Sequence, residues 1–95
     1  MTEQQIREIR QRIINRDPTK LRDRLLAIFE AFPDGLTASQ AYRIDSIYFQ
    51  SMNPESSIRA RCSEMADIGG PLEMTAKKRI GKYNKPEHYY KLRKL

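Results

Sequence analysis

The sequence predicts one mainly α-helical α+β domain that ends in a small antiparallel β-hairpin. Its 95 residues are enough to bury one modest hydrophobic core. Apolar residues recur at helical spacing as far as Ile68, and capping residues separate the helical stretches. After Gly69 and Gly70 the pattern changes to alternating apolar and polar residues, which is typical of strands.

The N-terminal segment predicts an amphipathic helix that runs to about Asn15. Thr2 and Gln5 match a capping box, in which each side chain satisfies a free backbone N–H of the other residue. Three isoleucines follow at helical spacing: Ile6, Ile9 and Ile13. They either pack on the same domain or form a homodimer, and the dimer is favoured because so short a chain leaves little core for them to join. We therefore divide the chain into this helix, residues 1–16, and a domain of residues 17–95.

A second helix should form the centre of the core. Asp17 can cap it, and Pro18 suits its first position, where a missing N–H costs nothing. Five apolar residues lie on one broad face: Leu21, Leu25, Ile28, Phe29 and Phe32. Residues 33–35, with the sequence PDG, are typical of a turn that ends the helix.

A third, shorter helix is predicted after this turn. Thr37 with Gln40 repeats the capping-box pattern, and Ala41 and Ile44 would point inward over about two turns. Residues 45–52 contain Ile, Tyr and Phe side by side. They fit either a continuation of the helix or an apolar connector, and the connector is the preferred prediction.

The fourth predicted helix has one apolar face and one small polar face. Asn53 caps it, Pro54 takes its first position, and it runs to about Ile68, where the two glycines stop it. At 100° per residue, an apolar stripe forms on one side: Ile58, Cys62 and Met65. The opposite side consists of Ser56, Ala60, Ser63 and Asp67. Ser57 and Glu64 lie along one border, and Arg59 lies on the other.

The C-terminal third predicts a basic hairpin. Two alternating stretches, beginning at Leu72 and His88, flank a loop with Gly, Asn and Pro. From Lys77 onward there are eight basic residues and one acidic residue, Glu87, whereas residues 1–50 hold eight basic and seven acidic ones. This excess favours a polyanionic partner, nucleic acid before membrane, over a merely solubilising tail.

From Leu21 to the C-terminus, about four-fifths of the chain, the sequence resembles a winged helix-turn-helix domain of bacterial or phage type. The most specific piece is SSIRARCSEMADIGGPLE, residues 56–73, which is similar to the third helix and first wing strand of such domains. Two features depart from the pattern. The segment of residues 45–53 is longer than the tight turn of simple members, and the third helix of the motif ends with Glu64 and Asp67.

This resemblance implies that the helix lies in the DNA major groove while the wing touches phosphates or the minor groove. The expected base-reading residues are Ser56, Ser57, Arg59, Ala60 and Ser63. The expected backbone-binding residues of the wing are Lys77, Lys78, Arg79, Lys82 and Lys85. Carboxylates repel phosphates, and Glu64 and Asp67 could instead pair with Arg61 or Arg59 or accept from a cytosine amino group. Base reading is therefore expected only in the first two turns.

The expected function is therefore sequence-specific binding of double-stranded DNA by a small cytoplasmic transcriptional regulator or accessory factor of DNA transactions. The alternative is a winged-helix module that binds another protein, such as a phage factor that modulates a host protein. An enzyme is not expected, because Cys62 lies on the apolar stripe and His88 has no other catalytic partner. One cysteine and one histidine provide no Cys/His zinc site, no cofactor is expected, and no apolar run could cross a membrane.

Overall fold

The computed structural model describes residues 2–14, 20–80 and 86–93, and in them it shows an α+β fold. The helices are α1 (Glu3–Ile14), α2 (Leu21–Glu30), α3 (Ala38–Tyr48) and α4 (Glu55–Met65), and the strands are β1 (Leu36–Thr37), β2 (Leu72–Ile80) and β3 (Pro86–Leu92). The strands form one antiparallel sheet with β3 between β1 and β2. The predicted class, helices followed by a small antiparallel hairpin, is confirmed.

The N-terminal helix α1 packs on its own chain. Its capping box is present, because the backbone N–H of Gln5 donates to Thr2 Oγ1 (3.2 Å) and that of Thr2 donates to Gln5 Oε1 (3.0 Å). Ile9 and Ile13 are buried in the shared core, and α1 lies against α2. A homodimer through the three isoleucines stays a prediction, in which only the half-buried Ile6 still offers part of its surface.

Helix α2 is the centre of the core, as its apolar spacing predicts. Three of the five predicted residues are fully buried and two pack against them half-buried: Leu25, Ile28 and Phe29, then Leu21 and Phe32. The predicted cap at Asp17 and Pro18 lies outside the described residues. Within them, the helix begins at Leu21 after an extended Lys20.

The PDG turn leads into a third strand that the sequence does not predict. Gly35 has a φ of +99°, and a Cβ there would approach the carbonyl oxygen of Tyr90 to 2.7 Å. A residue with a side chain is disfavoured on both counts. This close approach lets Leu36 and Thr37 pair with β3, and Thr37 then caps α3 through the predicted box with Gln40.

Helix α3 is longer than predicted: residues 45–48 continue the helix where the preferred prediction is a connector, and only residues 49–52 form the connector. The helix continues to Tyr48 because Asp45 is buried and paired: Arg24 Nε of α2 donates to Asp45 Oδ1 at 2.7 Å. The carbonyl oxygen of Asp45 then accepts the backbone N–H groups of Phe49 and Ser51, both at 3.3 Å. Gln50, with a φ of +52°, completes the turn away from the helix.

The residues around the Arg24–Asp45 ion pair also determine how α4 begins. The prediction that Asn53 caps this helix is wrong. Ser51 Oγ accepts from Arg24 Nη2 (3.2 Å), from the Asn53 backbone N–H (3.2 Å) and from Asn53 Nδ2 (2.9 Å). The N-cap position is Pro54 instead, and it makes no side-chain hydrogen bond. Asn53 is used to close the α3–α4 connection.

Helix α4 ends at Met65, three residues before the predicted Ile68, which is fully exposed. The chain turns at Gly69, with a φ of +82°. Arg93, at the far end of the sheet, holds this turn: its Nε donates to the carbonyl oxygen of Gly70 (2.9 Å) and its Nη2 to that of Leu72 (3.0 Å).

The strands β2 and β3 form a hairpin with an irregular register. Leu72 faces Leu92, Met74 faces Tyr90, and Lys78 faces His88, so the span between Met74 and Lys78 has more residues than the span opposite it. This is a β-bulge, which increases the local twist of a strand. The predicted hairpin is confirmed, and its connection, residues 81–85, lies outside the described residues.

The buried ion pair predicts a large and specific loss of stability. Asp45→Ala removes the carboxylate that pairs with the buried Arg24 guanidinium, so the free energy of unfolding should fall by about 3–5 kcal/mol. Urea denaturation of the variant and the wild type measures this difference in the free energy of unfolding. Arg12→Ala is the control, because it breaks the more exposed Arg12–Glu30 pair (2.7 Å), for which a loss below about 1 kcal/mol is expected. Equal losses in the two variants would contradict this account.

Candidate functional site

Helix α4 presents one face to the core and the opposite face to solvent, as the helical wheel predicts. Ile58, Cys62 and Met65 are buried. Across the helix, three small residues are exposed one turn apart: Ser56, Ala60 and Ser63. Because these side chains are short, the outer surface of α4 is flat enough for another molecule to approach its backbone closely.

Burial raises the pKa of the Cys62 thiol to about 12, and the opposing effect of the Arg59 charge is smaller. The thiol therefore stays protonated at neutral pH. A protonated buried thiol is a poor nucleophile, and Cys62 acts here as a small apolar residue of the core.

Arg59 lies on the border of α4 that faces the sheet, where it joins three elements. Its Nη2 donates to Ser39 Oγ of α3 (2.7 Å) and to the carboxylate of Glu87 of β3. Ser39 Oγ in turn donates to Glu87 Oε1 at 2.6 Å. A weaker ion pair links Arg59 Nε to Glu55 Oε2, one turn earlier in α4, at 3.6 Å. These four residues are called the Arg59 cluster below.

The surroundings of Arg59 and Glu87 favour the charged form of both side chains. Partial burial acts to raise the pKa of the Glu87 carboxyl group, but hydrogen bonds from Ser39 and Arg59, with the charges of Arg59 and Arg79, outweigh it and lower the pKa. The hydrogen bond to Glu87 is the main reason that the pKa of Arg59 is raised, against a smaller effect of burial. Both groups are therefore ionised at neutral pH.

The other border of α4 and its C-terminal end are more acidic. Ser57 is half-buried, and Glu64 is exposed and pairs with Arg61 (3.0 Å), one of the pairings that the sequence allows. Asp67 is exposed beyond the end of the helix. Arg59 pairs with Glu55 and Glu87 rather than with Glu64 or Asp67.

Three of the five predicted wing residues are described, and all three are exposed in β2: Lys77, Lys78 and Arg79. Lys77 Nζ lies 4.5 Å from the centre of the Tyr89 ring, a cation–π contact that orients its ammonium group. Lys82 and Lys85 lie outside the described residues.

Not every basic residue of the C-terminal third is available to a partner. Lys91 pairs with Glu73 across the sheet at 3.4 Å. Arg93 holds the turn after α4. Within the described hairpin, the positive charge that a partner could contact therefore lies at the end of β2, next to α3 and α4, and not along the whole sheet.

A cleft joins α3, the first turn of α4 and the end of β2. Its lining is Ser39, Gln40, Tyr42, Arg43, Glu55, Arg79 and Glu87. Sequence reasoning missed Arg43, Ser39 and Glu87 as residues of this region. A helical wheel could have placed Arg43 on the exposed side of α3, opposite the inward Ala41. No local pattern could have found the contact between Ser39 and Glu87, which are 48 residues apart.

Among the described residues, no group of three or more His, Cys, Asp or Glu side chains could hold a metal ion. The helices of the described ranges are all too short and too polar to cross a bilayer. Comparison of the chain with protein-family models, with curated proteins and with solved structures finds no match.

The buried thiol predicts strong protection of Cys62 from alkylation. At pH 8 a pKa of about 12 leaves a thiolate fraction roughly a thousandfold smaller than that of an ordinary cysteine. Iodoacetamide should therefore modify the folded protein at least about a hundredfold more slowly than the urea-unfolded protein. Mass spectrometry measures both rates, and a single cysteine makes the product unambiguous. Equal rates in the two states would place the thiol at the surface.

Proposed function

We propose that this chain is a winged-helix protein that binds double-stranded DNA in the cytoplasm, as a small transcriptional regulator or accessory factor of DNA transactions of bacterial or phage type. The order of elements supports the winged-helix assignment. A core helix (α2) precedes a capped helix (α3), then comes α4, and the hairpin β2–β3 follows a glycine turn.

One observation carries the proposal: the small polar face of α4 adjoins the basic end of β2. Glu87 contacts Arg59 of α4 and faces Arg79 across the hairpin, so the Arg59 cluster connects the two surfaces directly. Arg43 of α3 borders the same cleft as Arg79. A single ligand could therefore touch the helix and the wing at once.

Duplex DNA suits this combination of surfaces. The major groove admits one α-helix, and the exposed Ser56, Ala60 and Ser63 give α4 a narrow outer face. Serine hydroxyl groups can contact base edges or phosphate oxygens. The exposed Lys78 and Arg79 would then bind the phosphate backbone, as salt-dependent contacts that carry no sequence information.

The acidic residues define which part of α4 approaches the duplex. Glu64 and Asp67 are exposed at the C-terminal end of the helix, and their charges would meet phosphates of the same sign. In this proposal the first two turns of α4 lie deepest in the groove, and the C-terminal end points away from it.

Selection of bound duplexes from a random pool tests the proposal, because it detects binding and specificity together. We expect an enriched motif. Absence of binding to any duplex at low salt, in a gel-shift titration, would contradict the proposed function.

Lys78→Ala should weaken binding to all sequences alike. If Lys78 neutralises one phosphate, its loss should reduce the slope of log affinity against log salt by about 0.9. Gel shifts over a series of salt concentrations measure the slope. Arg7→Ala is the matched control, because it removes one positive charge from the exposed surface of α1, a helix that packs against α2. The same change of slope in both variants would show a general charge effect instead.

A protein partner is the second candidate, and the edge of the sheet favours it. Strand β2 is an outer strand, and its Met74 and Ile80 are half or more exposed. An open strand edge can pair with a strand of another protein. Binding that survives nuclease treatment in a pull-down, without any duplex binding by the purified chain, would favour this function over DNA binding.

A further inference from the structure

The contacts within the Arg59 cluster suggest how the long, flexible side chain of Arg59 could contact a base. The Nη2 group of Arg59 is occupied by Ser39 and Glu87, and its Nε lies near Glu55. Among the described residues, its Nη1 group has no hydrogen-bond partner. Two N–H donors of a fixed guanidinium are therefore left for a ligand.

Glu87 is more deeply buried than Arg59, as expected if Glu87 supports the arginine from below. The Glu87 side chain is 9% exposed, whereas the Arg59 side chain is 41% exposed. The carboxylate thus lies beneath the guanidinium, away from the phosphates of an approaching duplex. Its negative charge is covered by Arg59 and by the Ser39 hydroxyl group.

Holding an arginine in place has a measurable consequence for binding. A free arginine side chain samples many rotamers, and part of that rotamer entropy is lost when it docks on a base. A side chain that the protein already holds loses less, and it offers its donors in only one direction. Fixing the donors in one direction therefore favours the base whose acceptor lies in that direction over the other bases.

We propose that Glu87 is a positioning residue for specificity: it holds the Arg59 guanidinium at the border between α4 and the wing, so that Nη1 donates to one base edge. The proposal rests on the DNA-binding function proposed above. The expected partner is a single acceptor on a base edge in the major groove, such as O6 or N7 of guanine. Ser39 assists by donating to Glu87 and accepting from Arg59.

The test compares the base preferences of variants selected on the same random duplex pool. Glu87→Gln keeps an acceptor near Arg59 but removes the charge. It should weaken the preference at one position of the motif by about three- to tenfold, with binding to unrelated duplexes unchanged or slightly stronger. Arg59→Ala should weaken the preference at that same position. In the Arg59→Ala background, Glu87→Gln should have no further effect there, because Glu87 acts through Arg59.

Two further variants separate positioning from charge and from folding. Glu73→Gln is the matched control, because it also removes one carboxylate that pairs across the sheet, here with Lys91. It should leave the preference intact. Ser39→Ala changes no charge, and it should relax the same position as Glu87→Gln by a smaller factor. Thermal unfolding checks that each variant is folded at the temperature of the assay.

The outcomes distinguish this inference from the function on which it rests. If the wild-type chain selects no duplex, both fail. If it selects a motif that folded Glu87→Gln and Ser39→Ala variants retain unchanged, the positioning role fails and the DNA-binding function stands. If Glu87→Gln strengthens binding to every sequence alike without relaxing any position, Glu87 is a repulsive charge, and the positioning role is again overturned.

Discussion

The buried ion pair between Arg24 and Asp45 is the interaction on which the arrangement of the helices depends. It ties α2 to α3, and the groups around it shape residues 46–51: the Asp45 carbonyl oxygen accepts from Phe49 and Ser51, and Arg24 reaches Ser51 Oγ. The chain is thereby turned out of α3 and into α4. A buried pair costs desolvation, so its value here lies in fixing one geometry rather than in net stability.

The second constraint is the Arg59 cluster, which fixes the hairpin against the helix that the ion pair has positioned. Ser39 of α3, Arg59 of α4 and Glu87 of β3 meet at one point, so three elements share a single polar contact. The Arg59 border of α4 and Arg79 at the end of β2 consequently meet at Glu87. The proposed function requires this juxtaposition, because a duplex must meet the helix and the wing together.

The parts of the fold that local patterns encode could be predicted from the sequence. The capping boxes at Thr2 and Thr37, the buried stripe of α4 and its exposed serines all follow from neighbouring residues. The errors share a different origin. The length of α3 and the role of Asn53 depend on Arg24 and Asp45, which are 21 residues apart. Helical periodicity cannot detect such a pair, since each residue alone looks like ordinary surface charge. The engagement of Arg59 by Glu87 was hidden for the same reason.

The proposed DNA-binding surface consists of the outer face of α4 and the end of β2. Titration of the isotope-labelled chain with duplex DNA, followed through backbone amide chemical shifts, tests it most directly. We expect the largest changes on residues 56–63 and 77–79, with little change on residues 3–14. Large changes confined to α1, or the absence of any change at low salt, would contradict it.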